Sequence, residues 1–253
     1  MNETTDLKRK GYVQVVVDVP ALGDRQFTYS VPDGFRLPFG SKVYVPFGRT
    51  KADGYVVSNT DVKPDYEVKD ILSVYDTEYL PPKSLLAFSN VLKDYYFATT
   101  ASFWSYLWPP LVPKRTTAQV TNTSLFDRER NYDLPKKTGL FGPRPIQFVE
   151  GSFSFRWKVY LDAISKAFDQ GFGIIVLVPE IRRIAEIGQT LEPMFGKSIS
   201  YIHSEMTGAS RRRGWFSLLK GETSISLGTR SSVFSPVKNL GLIVVDEEES
   251  SFY

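Results

Sequence analysis

The chain has no cysteine, which excludes disulfides and thiolate metal sites and fits a cytosolic, cytoplasmic protein. It has a single histidine, His203. With no second His and no Cys, His203 offers neither a metal site nor a Ser-His-Asp set, so we expect no metal and specifically no zinc. No apolar run approaches the roughly 20 residues that a membrane helix needs, and "MNETTDLKRKGY" lacks the apolar stretch of a secretory signal, so no membrane partner is expected. A large charge imbalance is also missing. A net charge of +3 permits a polyanion partner without announcing one. Within those bounds the composition is ordinary, with 42% hydrophobic and 23% charged residues in 253, enough for two compact domains each with a core.

The periodicity divides the chain. Residues 1–10 read as a disordered N-terminus. Residues 11–108 open β-rich: "YVQVVVDVP", "RQFTYSVPDG" with a Pro-Asp-Gly turn over 32–34, "SKVYVPFG" and "GYVVSNT" are short strands that suggest a small barrel or curled sheet. The spacing of Leu85, Leu86, Phe88, Leu92, Tyr95 and Tyr96 then predicts a helix over 83–98, with one Tyr of the pair in the core. Residues 109–144 read as a Pro-rich, basic linker, with seven Lys or Arg against three Asp or Glu between Leu111 and Arg144. From residue 145 to 253 the pattern is βαβα. "PIQFVEG", "GIIVLVP", "SISYIH", "SISLGT" and "LGLIVV" are strands between amphipathic helices, one of them N-capped by Thr207, and together they imply a parallel sheet covered on both faces. The fold class is therefore a small all-β domain followed by an α/β domain.

Four strings fall in order in the second half: "LVPEI" (177–181), "HSEM" (203–206), "GTRSSVFSP" (228–236) and "LIVVDEEES" (242–250). "VVVDVPALGDRQFTYSVPDGF", "GSKVYVPFGR" and "GYVV" precede them. This ordered set, over residues 12–108 and 145–253, resembles the PriA family of primosomal replication-restart helicases. The resemblance implies an N-terminal, barrel-like 3′-end DNA-binding domain over 11–108 and an incomplete RecA-like first helicase lobe over 145–253. It implies a cytoplasmic protein whose partner is DNA at a fork or 3′ end, with replication-restart proteins as further partners.

The residue roles follow from that resemblance. Asp246 would hold Mg²⁺ through water and Glu247 would orient the attacking water; on residues alone, "VDEE" reads rather as an acidic strand end held by backbone N–H groups, and the resemblance reverses that preference. Thr229, Arg230 and Ser231 would contact the DNA backbone, or form a turn with a surface Arg. Phe27, Thr28, Tyr29, Gly48 and Lys69 would surround a DNA 3′ end, with Phe27 or Tyr29 stacking on a base; both are also what the inward face of an alternating strand looks like. The family usually has Asp where Thr28 stands, and a hydroxyl accepts a hydrogen bond more weakly than a carboxylate.

The phosphate cradle departs furthest. A P-loop needs bare backbone N–H groups, an ammonium and a hydroxyl. Between Gly151 and Lys158 the chain instead reads "GSFSFRWK", with Arg156 and Trp157 at the Lys and Thr positions when counted back from "VYL", and Lys158 one residue late. The acidic motif reads DEEE, so Glu249 replaces the family's coupling His. The leading expectation is thus a DNA-binding, PriA-like replication-restart protein with a vestigial nucleotide site and no cofactor. An active ATP- and Mg²⁺-dependent 3′→5′ DNA helicase and a protein-interaction scaffold at the fork are the alternatives. The basic cluster "SRRRGW" (210–215) is expected on a solvated helix face.

Overall fold

The structure, a computed structural model, describes residues 11–31, 36–115 and 146–250. The expected disordered residues 1–10, the turn at 32–34 and linker residues 116–144 lie outside the described residues. The described residues fall into two compact units, 11–31, 36–108 and 112–115 in one, and 109–111 with 146–250 in the other.

The first unit is a six-stranded antiparallel sheet in the order β2-β1-β4-β3-β5-β6, built from β1 (Gly11–Val17), β2 (Gln26–Val31), β3 (Lys42–Phe47), β4 (Thr50–Thr60), β5 (Ser73–Tyr75) and β6 (Lys114–Arg115). β6 pairs with β5, so residues expected to begin the linker complete this sheet instead. The sheet curls. Just before β5, Ser30 N–H donates to the Lys69 carbonyl and Ile71 N–H donates to the Ser30 carbonyl, which returns the chain to the outer edge of β2. Inside the curl, Val13, Val15, Val17, Tyr29, Val31, Val43, Val45, Val56, Ile71 and Val74 form one core. β-branched side chains suit this surface because their restricted χ1 loses little on a pleated strand.

Two helices, α1 (Lys83–Tyr95) and α2 (Thr100–Leu107), follow in the same unit, and α2 packs on β1 and β4. Trp104 is buried edge-on against Tyr55 and Phe39, and its indole N–H donates to Ser89 Oγ. β1 is therefore buried on both faces, which is why it reads as a nearly unbroken apolar run. The sequence period overextended α1: the helix stops at Tyr95, Phe97 takes φ 52°, and Tyr95 and Tyr96 are both exposed. Helical periodicity in aromatic residues does not require burial when a second helix turns away four residues later.

The second unit is a four-stranded parallel sheet, order β10-β7-β9-β8, from β7 (Gly173–Leu177), β8 (Ile199–Ile202), β9 (Ile225–Gly228) and β10 (Leu240–Val245). The helices are α3 (Phe153–Asp169), α4 (Ile181–Phe195) and α5 (Gly208–Lys220). Thr207 caps α5 as expected, its hydroxyl accepting from Ser210 N–H. The basic cluster lies on α5, where Arg213 is exposed and Trp215 is buried. The expected strand "PIQFVEG" is not a strand: residues 146–150 are irregular, and Ile146 and Phe148 are exposed. Alternating apolar residues give strand propensity, but a strand exists only when a ladder partner accepts it. Among the described residues, β10 consequently keeps one unpaired edge, and Leu240, Ile243 and Val245 on it are exposed.

In the first unit, Asp24 ties the β1–β2 loop to both helices. Its carboxylate accepts from Lys93 Nζ at 2.6 Å and from Thr100 N–H at 2.6 Å. Partial burial raises the Asp24 pKa, but these hydrogen bonds and the Lys93 charge outweigh it and hold it below the ordinary 3.8. A depressed carboxyl stabilises the fold above its unfolded pKa, and that contribution is lost as pH falls through the lower folded value. Asp24→Asn should therefore cost less than about 1 kcal/mol at about pH 7, the pair being partly exposed, and less still at about pH 2. Urea midpoints of the two proteins at both pH values check this; an equal gap at both would refute the ionic role.

Candidate functional site

Each unit carries one cluster of the residues singled out from the sequence. In the first, three segments converge on β2. Phe27 is half-buried, with its ring edge-on to Phe47 at 5.2 Å, beside the β3–β4 turn. That turn contains Gly48 at φ 57°, a left-handed conformation that glycine adopts without strain; a Cβ there would meet open space. Tyr29 is 4% exposed, and its hydroxyl donates to the Pro46 carbonyl at 3.1 Å. Its ring is thus part of the core, and the Phe27 ring is the one left partly open to solvent. Burial raises the Tyr29 phenol pKa.

Thr28 points to the opposite face of the strand. Its Oγ1 accepts from Gln14 Nε2, directly across the ladder on β1, at 3.0 Å, and from the Tyr66 hydroxyl at 3.1 Å. Two residues on, Ser30 donates its hydroxyl to Asp70, while exposed Lys69 is anchored through its carbonyl. The structure therefore brings Phe27, Thr28, Gly48 and Lys69 around one edge strand. Gln14 and Tyr66 were not singled out from sequence. The only available signal for Tyr66 was an aromatic residue in a charged loop.

The second cluster lies at the carboxyl edge of the parallel sheet, where ligands bind in open α/β folds. β7 delivers Val178 and Glu180 there, β9 delivers Thr229 and β10 delivers Asp246. Gly228 is required at the end of β9, because a Cβ would lie 1.9 Å from the Ile202 carbonyl oxygen. Thr229 begins a 3₁₀ turn, Arg230–Phe234; Arg230 and Ser231 are exposed on it, while buried Ser232 donates its hydroxyl to the Ile202 carbonyl.

The stretch between Gly151 and Lys158 is helical rather than a loop. Ser152 caps α3, its hydroxyl accepting from Phe155 N–H, and Arg156 N–H donates to the Ser152 carbonyl. Lys158 is exposed. Arg156 turns inward instead. Its Nη1 donates to the Gly151 carbonyl at 2.9 Å, and its Nη2 lies 3.5 Å from Asp246 and 3.3 Å from Glu247. Trp157, buried between Phe153 and Tyr160, donates its indole N–H to Asp246 Oδ2 at 3.4 Å.

A second guanidinium completes the cluster. Arg183, on the first turn of α4, lies 3.7 Å from both Asp246 and Glu247 and 2.9 Å from Glu186, and stacks over Phe153 at 4.4 Å. A cation in a first helical turn opposes the helix dipole, so "EIRRI" straight after a strand carried a legible hint of a nearby acid. Asp246 is fully buried, Arg156 and Arg183 about four-fifths so. Glu247 holds φ 54°, an uncommon conformation for a side-chain-bearing residue. Burial first, and then the Asp246 charge, raises the Tyr160 phenol pKa.

Taken with the fold, these clusters define the class: a curled antiparallel domain whose edge strand is framed by aromatic and hydroxyl side chains, and a parallel α/β unit of the partial helicase-lobe kind. Residues 14–109 match the model of the PriA 3′DNA-binding domain (3′BD). Over 259 residues, 96% of this chain, it is 27% identical to replication restart protein PriA of Treponema pallidum. It is 38% identical over 117 residues to replication restart protein PriA of Chlamydia pneumoniae, and 25% identical over 235 residues to that of Rickettsia conorii. The chain is PriA-like. It spans 39%, 15% and 36% of the lengths of those three relatives.

The Arg156–Asp246 contact should be measurable. A guanidinium facing a buried carboxylate contributes about 1–3 kcal/mol, and here Arg183 shares the load. In a urea-unfolding cycle of Arg156→Ala, Asp246→Ala and the double variant, we expect a favourable coupling of about 1–2 kcal/mol. A coupling within about 0.3 kcal/mol of zero would mean that the two charges do not hold each other.

Proposed function

We propose that this chain is a DNA-binding replication-restart protein that uses the β2 cluster to grip DNA near a branch or 3′ end and does not hydrolyse ATP. The match of residues 14–109 to the 3′DNA-binding domain of PriA supports the first half of that reading. Phe27 presents a partly open ring for a base to stack on, Gly48 leaves room for the sugar, and exposed Lys69 supplies a cation for phosphate.

The observation that carries the second half is the Arg156–Asp246–Arg183 cluster. The residues do not fit a magnesium triphosphate. The Asp246 carboxylate that would face Mg²⁺ through water is engaged by two guanidiniums and an indole N–H. Where a P-loop offers a hydroxyl to the metal, Trp157 is buried. Expelling two arginines to admit a cation and a polyanion would break several charge-assisted contacts at once. Half-buried Thr229 and exposed Arg230 and Ser231 retain a part in this reading as contacts to a DNA backbone at the same sheet edge.

Fluorescence anisotropy with forked, 3′-tailed and random single-stranded oligonucleotides at low salt tests the DNA half. Binding should weaken steeply as salt rises, because counterion release drives it. Phe27→Ala should cost about 1–3 kcal/mol, the scale of one base–aromatic stack. Affinity no better than for a neutral polymer ends the DNA reading. Equilibrium titration with ATP and Mg²⁺, followed by phosphate release with DNA present, tests the other half: no saturable binding is expected, and DNA-stimulated turnover would restore the helicase alternative.

A further inference from the structure

A threonine hydroxyl has two acceptor lone pairs and one proton to donate. At Thr28 both lone pairs are taken, one by Gln14 Nε2–H at 3.0 Å and one by the Tyr66 O–H at 3.1 Å. Gln14 sits in register opposite Thr28 on the neighbouring strand, so that bond is built into the ladder. Tyr66 comes from the segment that runs along the free edge of β2 and is pinned there by the Ser30–Lys69 and Ile71–Ser30 backbone bonds. The carboxylate beside them, Asp70, is itself engaged by the Ser30 hydroxyl. What Thr28 has left to offer is its own proton.

We propose that the β2 site prefers a phosphate oxygen to a free 3′-hydroxyl at the position facing Thr28: Thr28 can only donate there, an anionic oxygen accepts that proton more strongly than a neutral hydroxyl does, and Tyr66 occupies the lone pair to which a 3′-hydroxyl could itself donate. Lys69, exposed on the same edge, supplies the charge that such a ligand requires. Tyr66 itself is 61% exposed, so its ring is free to lie along the bound strand while its hydroxyl stays on Thr28. The inference rests on the DNA-binding reading of this domain and adds the chemistry of the group it recognises. That group can be a terminal 3′-phosphate or an internal phosphodiester.

Four fluorescent probes of one sequence separate the cases: 3′-hydroxyl, 3′-phosphate, 2′,3′-dideoxy, and a circular form with no end. Tightest binding of the 3′-phosphate probe assigns the terminal phosphate. Equal binding of all four, circle included, assigns the internal phosphodiester. In either case Thr28→Val, which removes the proton at nearly constant shape, should weaken the best probe about fivefold. Tyr66→Phe, an exposed change that spares the sheet, should shift relative affinity about threefold toward the 3′-hydroxyl probe. The inference is overturned if the wild-type protein prefers the 3′-hydroxyl probe over both the dideoxy and 3′-phosphate probes. It is equally overturned if Thr28→Val binds like wild type and Tyr66→Phe leaves the ratio unchanged. Failure of all four probes to bind would instead remove the DNA-binding reading beneath it, so the two failures are distinguishable.

Discussion

The second unit is organised around a carboxylate with no water to solvate it. Asp246 is completely buried at the end of an apolar strand, and an unpaired charge there would cost several kcal/mol. Its neutralisation is protein-internal: Arg156 from α3, Arg183 from α4 and the indole of Trp157 converge on it. That requirement fits Arg156 turning inward while Lys158 faces solvent, and the aromatic residues Phe153 and Trp157 stacking beside the two arginines. The cluster is not fully satisfied, since the Nε groups of both arginines are buried without a hydrogen-bond partner among the described residues. Its cohesion is therefore electrostatic more than geometric, consistent with ion-pair distances of 3.3 to 3.7 Å.

The first unit solves a different problem, an edge strand. Among the described residues, β2 pairs with β1 on one side and is left without a strand partner for most of the other, and an unpaired edge invites promiscuous association. Here the segment from Tyr66 to Ile71 covers part of that edge with two backbone bonds and two side-chain contacts. Covering the edge also places Tyr66 and Lys69 beside Thr28. The same few contacts thus close the curled sheet and define which atoms a ligand at that edge can meet.

The two units differ in how readable they were. The β-rich half, the helices of the second half and the parallel sheet were visible from period and punctuation, because burial of one face imposes a period of 2 or 3.6 on any sequence that folds so. The misreadings have a common origin. "PIQFVEG" has strand propensity but no strand partner among the described residues, and Tyr95 and Tyr96 keep helical spacing beyond the buried turns of the helix. Lys114 and Arg115 lie among prolines and pair with β5 although nothing local marks them as a strand. In each case the deciding contact is distant in sequence.

By itself the sequence determined the two-part architecture, the core-forming positions, and the chemical oddity of Arg156 and Trp157 where a phosphate cradle would need an ammonium and a hydroxyl. Those are matters of composition and period, and every residue involved is read from its neighbours. Only the tertiary structure decided that Arg156 and Arg183 meet Asp246, that Tyr29 belongs to the core while Phe27 stays half open, and that Gln14 and Tyr66 use up the acceptor capacity of Thr28. Hydrogen bonds and ion pairs act over a few ångströms, whereas these partners stand 14 to 90 residues apart along the chain, and no local pattern records which distant groups the fold will bring within that range.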